Sequence, residues 1–120
     1  MFASHVDAQT KTFSIPYESK GQNVTMTYDE IIQYCRLTDS LYSEVVFKSF
    51  GKSAQGDDLP YLMIDDGVKT TDKITLWIQA GIHPGEPEGV EAGFLFLRDL
   101  MTKPEMKPML RFARPGDVVV

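Results

Sequence analysis

Apolar residues return at two different intervals along this chain, and the intervals separate helices from strands. Tyr28, Ile31, Ile32 and Cys35 recur three and four residues apart, laying one apolar stripe along about three turns of helix. Just ahead of them, Thr27-Tyr28-Asp29-Glu30 has capping-box spacing: the threonine hydroxyl meets the amide of the glutamate, and the glutamate reaches back. A second stripe of Val90, Phe94, Leu97 and Met101, widened by Phe96 and Leu100, predicts a helix from Pro87 to Met101 that packs across a sheet. Pro87 suits the first turn, where its missing amide costs little. Lys103-Pro104 and Lys107-Pro108 end the pattern.

Between the helices the pattern is that of strands. Val45 to Phe50 and Leu59 to Ile64 are β-prone runs joined by a polar segment, residues 51–58, which predicts a hairpin with a long loop. Pro60 lacks an amide hydrogen and belongs at the strand's start or on its unpaired side. Asp65-Asp66-Gly67 turns the chain. The run from Lys73 to Ile82 then alternates, with Ile74, Leu76, Ile78, Ala80 and Ile82 on one face and Thr75, Trp77 and Gln79 on the other. Bulk on both faces predicts a central strand. The closing β-branched residues, Val118-Val119-Val120, read as the beginning of one more. Residues 1–22 are polar and broken by Pro16 and Gly21, which predicts an arm with Thr12 to Ile15 as its strand-like piece, followed by an α/β domain over residues 23–120.

Composition narrows the function classes. With 120 residues, 42% hydrophobic and 24% charged, the chain is long enough for one core of moderate size. Seventeen acidic against twelve basic residues give a net charge of −5, which argues against a nucleic-acid or anionic-membrane partner. No stretch approaches the roughly 20 apolar residues of a membrane helix, and the opening residues lack a signal-peptide layout. The expectation is a soluble protein, cytoplasmic or exported after removal of a signal. Cys35 is the lone cysteine, so no internal disulfide forms, and its helical position predicts a packed thiol.

The candidate chemistry lies in Gln79-Ala80-Gly81-Ile82-His83-Pro84-Gly85-Glu86-Pro87-Glu88-Gly89-Val90. A zinc that activates water takes three protein ligands and keeps a fourth position open, and an imidazole plus a carboxylate supplies two of them. His83 and Glu86 sit after a strand, where open α/β sheets present their sites. Pro84 and Gly85 let the loop turn so that both side chains converge, and Glu86 stands at the positive end of the following helix, a place suited to a carboxylate. Spacing alone also suits ordinary loop residues, a hydrogen-bonded histidine and a helix N-terminal acid. Glu88 reads as a solvated first-turn acid. His5, the other histidine, reads as a solvated tail residue, Trp77 as a sheet-packing residue, and Lys103 to Lys107 as a solvated turn.

Ile78 to Gly89 resembles the first metal-binding segment of the zinc metallocarboxypeptidases, the carboxypeptidase A-like peptidases. Tyr28-Asp29-Glu30-Ile31 resembles that family's first helix, and Phe50-Gly51-Lys52-Ser53-Ala54-Gln55-Gly56 its glycine-serine hairpin loop. The ordered combination spans roughly residues 27 to 101 and is more specific than any one piece. The resemblance implies an α/β fold with helices packed on a mixed, twisted sheet, like the front half of the carboxypeptidase fold. It implies zinc as cofactor, His83 and Glu86 as two of its three ligands, and a peptide as substrate. It also implies incompleteness: the family's second zinc histidine, its asparagine-arginine pair, its capping tyrosine and its glutamate base have no counterpart here. Asp57 follows Gly56 where the family commonly has an arginine, reversing the local charge. The expectation is therefore the N-terminal portion of a metallocarboxypeptidase-like hydrolase, inactive alone. The alternatives are part of an amino-acid deacylase, or a noncatalytic domain that self-associates through an exposed sheet edge.

Overall fold

The computed structural model describes residues 6–7, 11–21, 23–69, 73–111 and 113–119, and its core takes in side chains from the N-terminal segment as well as from the helices and sheet. Strands β1 (Val6–Asp7) and β2 (Thr12–Phe13) pair antiparallel, and a short helix α1 (Pro16–Ser19) follows. Phe13 and Ile15 are buried in the main cluster. Arg98 fastens this segment, donating to the Phe13 carbonyl at 3.0 Å and to the two carboxylate oxygens of Glu18 at 2.6 and 2.9 Å.

Helix α2 (Tyr28–Leu41) begins where the capping box predicts. Thr27 Oγ1 accepts from the Glu30 amide at 3.3 Å, while Glu30 Oε2 accepts from the Thr27 amide at 2.9 Å. Lys20 pairs with the other carboxylate oxygen at 2.9 Å. The Thr27 amide first and Lys20 second hold the Glu30 carboxyl below its usual range, although the residue is buried. The buried side of α2 differs from the predicted stripe. It centres on Tyr34, Cys35 and Thr38, whereas Tyr28 is exposed and donates its hydroxyl to the Asp58 carbonyl at 3.0 Å. Polar groups that carry their own partners cause the shift: the Tyr34 hydroxyl donates to the Ser14 carbonyl at 2.6 Å, and the Thr38 hydroxyl reaches the carbonyls of Tyr34 and Cys35. A count of apolar residues does not register them.

The predicted hairpin forms from β3 (Val45–Lys52) and β4 (Asp58–Ile64), with a register irregularity between Ser49 and Lys52. Strand β5 (Ile74–Trp77) follows, then helix α3 (Glu88–Thr102), a 3-10 turn (Lys107–Arg111) and β6 (Ala113–Val119). The four-stranded sheet has the order β3-β4-β6-β5, antiparallel except for β5 with β6, so it is mixed as expected. Helix α3 is the crossover that a parallel pair requires. Val45, Leu62 and Ile64 face the helices and share one core with Tyr34, Phe94, Leu97 and Leu100. Tyr34 meets Phe13 and Phe94 edge-on, joining β2, α2 and α3.

The third run departs from expectation. It is a strand only over Ile74–Trp77, and it lies at the edge of the described sheet rather than in its middle. Alternation with bulk on both faces reports what the faces can pack against, not how many hydrogen-bonded neighbours a strand has. Beyond Trp77, Gly81 adopts φ 69°, which takes the chain out of the extended conformation. Ahead of β5, Lys73 is fully buried, its ammonium at 2.8 Å from Asp65 and also paired with Asp66 in the preceding turn. Burial opposes its charge, but hydrogen bonds to the two carboxylates prevail and hold its pKa above the usual lysine value. On the face away from the helices, Phe50 stacks on Tyr61 with centroids 4.2 Å apart and meets Trp77, which is 52% exposed, at 5.6 Å. Among the described residues no helix is long and apolar enough to cross a membrane.

Candidate metal centre

The loop between β5 and α3 is shaped by its glycines. Ile78 packs against the core, and Gly81 and Gly85 then take φ values of 69° and 81°, in the left-handed region open to glycine. The second of these closes a turn in which the Glu86 amide donates to the His83 carbonyl at 3.4 Å. Pro87 caps α3 in helical geometry, so Glu86 stands immediately before the helix N-terminus.

The turn brings the two predicted residues together. His83 Nδ1 lies 3.1 Å from Glu86 Oε2, and both side chains face solvent, 67% and 62% exposed. Nitrogen and oxygen ligands bound to one tetrahedral zinc at about 2.0–2.1 Å stand about 3.4 Å apart. The observed separation is that of a hydrogen bond between the two side chains, and it is also close to the spacing of two ligands on a single ion. As a donor set the pair matches half of a zinc site: one imidazole, one carboxylate, both accessible. Among the described residues no group of three histidine, cysteine, aspartate or glutamate side chains could hold a metal. Glu88 opens α3 and is exposed. His5 lies outside the described residues.

Other polar groups of the fold have structural roles or none in chemistry. Glu91 is buried on the first turns of α3, where its Oε1 accepts from the buried Met26 amide at 2.9 Å and ties this end of the helix to the segment before α2. Sequence reasoning missed it, because no periodicity marks a buried glutamate whose partner is a backbone amide 65 residues away. Cys35 is buried and its thiol pKa is pushed up to about 12 by that burial, which leaves it unsuited to nucleophilic work. The hairpin tip carries Asp57, exposed beside Asp58, whose carboxylate pairs with Lys52 at 2.9 Å.

A search among curated proteins gave no match. The family model described as zinc carboxypeptidase matches residues 31–113, from the first turn of α2 to the first residue of β6. Because that match includes the hairpin, the His83–Glu86 loop and the crossover helix, and covers well over half of the chain, the protein belongs to the zinc carboxypeptidase family.

Proposed function

We propose that this chain is the N-terminal portion of a zinc-dependent hydrolase of peptide or amide bonds, with residues 23–120 as the catalytic domain's front part and 1–22 as its arm. His83 and Glu86 contribute two of the three zinc ligands. The observation that carries this reading is the approach of Nδ1 and Oε2 to 3.1 Å on an accessible loop after β5, in a chain of this family. A zinc ion, when bound, supplies Lewis acidity toward the scissile carbonyl and lowers the pKa of its water toward about 7. The two side chains hold and orient that charge. In this reading the third ligand and the general base are not among the described residues, and we expect the chain by itself to bind zinc weakly and not to turn over peptides. Metal analysis after dialysis tests this: wild type should retain zinc loosely, and His83→Ala should abolish what is retained. Tight one-to-one zinc that survives His83→Ala, or peptidase activity comparable to a complete enzyme, would overturn the reading.

One observation favours a second role. β5 lies at the edge of the described sheet with Ile74 69% exposed, and unpaired apolar edges invite another strand. In that reading two chains associate along β5. Light scattering should then show a dimer in wild type and a monomer in Ile74→Lys; a wild-type monomer at high concentration would exclude it.

A further inference from the structure

The metal loop is tied to the rest of the molecule at its base. Residues 82–86 and 88 are exposed, and among the described residues the hydrogen bonds of residues 82–86 stay within the loop. Position must come from the two ends. There the chain closes on itself: a Cβ built on Gly81 would meet Val90 Cγ2 at 2.9 Å, and one built on Gly89 would meet the Ala80 Cβ at 3.3 Å. Residues 80 and 81 therefore lie in close contact with residues 89 and 90, with His83 and Glu86 in the span between. Val90 in turn packs against the buried cluster. As a β-branched residue in a helix it has one strongly preferred rotamer and cannot step aside.

We infer that Gly81 and Val90, with Ala80 and Gly89 beside them, form a clasp that sets where the metal loop stands on α3, and that they are positioning residues for His83 and Glu86. The core fixes Val90, Val90 limits the approach of Gly81, and the turn built from Gly81 onward fixes the distance between Nδ1 and Oε2. The inference rests on the metal-ligand reading for its functional meaning. The clasp itself is a property of the metal-free chain and is tested separately.

The experiment compares wild type with Gly81→Ala, Gly89→Ala, Gly81→Ala/Val90→Ala and Ala92→Gly, following the imidazole nitrogen shifts of His83 by NMR without metal and then during titration with zinc alone. Gly89→Ala is the discriminating variant and keeps the test valid if Gly81→Ala does not fold. Alanine is the better helix former, but its Cβ would press on the Ala80 Cβ at 3.3 Å, so a purely structural role predicts a change in thermal stability of either sign with unchanged His83 shifts. The clasp predicts moved His83 shifts and zinc binding weakened about tenfold or more, as for other groups that orient metal ligands. Removing Cγ2 with Val90→Ala should return only part of the Gly81→Ala shift toward wild type, because alanine at φ 69° stays strained whatever space it has. Ala92, exposed on the same helix, should lose stability on conversion to glycine without moving His83. Unmoved His83 shifts in Gly89→Ala, or shifts in Ala92→Gly as large as those in the clasp variants, would overturn the clasp. Moved shifts in a protein whose wild type ignores zinc would leave the clasp standing and sink the metal reading.

Discussion

Replacing Glu91 should destabilise the protein through a single hydrogen bond. Its Oε1 is the acceptor for the Met26 amide at 2.9 Å, and both residues are more than nine-tenths buried. In Glu91→Ala that amide loses its partner in a place water does not reach, which costs about 1–3 kcal/mol for a buried unsatisfied donor. The truncated side chain leaves a small void as well, so about 2 kcal/mol is a fair centre, roughly a thirtyfold change in the folding equilibrium. With a urea m-value of about 1.5 kcal/mol/M the midpoint should fall by about 1.3 M at unchanged m. Glu91→Gln keeps a side-chain carbonyl in the same place and should lose less than about 1 kcal/mol. Urea unfolding followed by Trp77 fluorescence and by circular dichroism gives both numbers. If Glu91→Ala matches wild type, or if Glu91→Gln falls as far as Glu91→Ala, the bond to Met26 does not hold α3 as described.

Thr27→Ala removes the hydroxyl half of the capping box and should cost about 1 kcal/mol, read from the same unfolding curves. Glu30 predicts a pH dependence. Its carboxyl is held below its ordinary value of 4.5 in the fold, so its contribution is fully present above about pH 4.5 and is lost as pH falls through the lowered folded value. Glu30→Gln should therefore be less stable than wild type at neutral pH and converge on it in acid; a constant gap down to pH 2 would contradict the assignment. Cys35, with its thiol pushed up to about 12 by burial, should react with a thiol reagent at pH 8 only as fast as the protein opens, and urea should accelerate labelling in step with unfolding.

The parts of this fold that were legible in the sequence share a local cause. The start of α2 follows from two side chains three residues apart, and the start of α3 from a proline whose missing amide fits there. The hairpin followed from β-prone runs around a polar loop, and the turn that brings His83 to Glu86 from the glycines and prolines at a strand-to-helix junction. What stayed hidden depends on distant partners. Thr38, Tyr34 and Glu91 are buried because particular carbonyls or amides elsewhere in the chain await them. The edge position of β5 depends on β6, some forty residues away in the chain, which inserts beside β4. The contact of Gly81 with Val90 is of the same kind: the glycine was readable as a turn residue, the side chain that crowds it was not.

The most direct test of the account is the identity of the atom that meets zinc. Titrating the isotope-labelled chain with zinc alone and following the two ring nitrogens of His83 should shift Nδ1, the atom 3.1 Å from Glu86 Oε2, far more than Nε2. Glu86→Ala should weaken that response at least about tenfold, as loss of a ligand or its partner does. Zinc that leaves His83 untouched, or that binds with equal strength when Glu86 is alanine, would contradict the assignment of this loop as half of a metal centre.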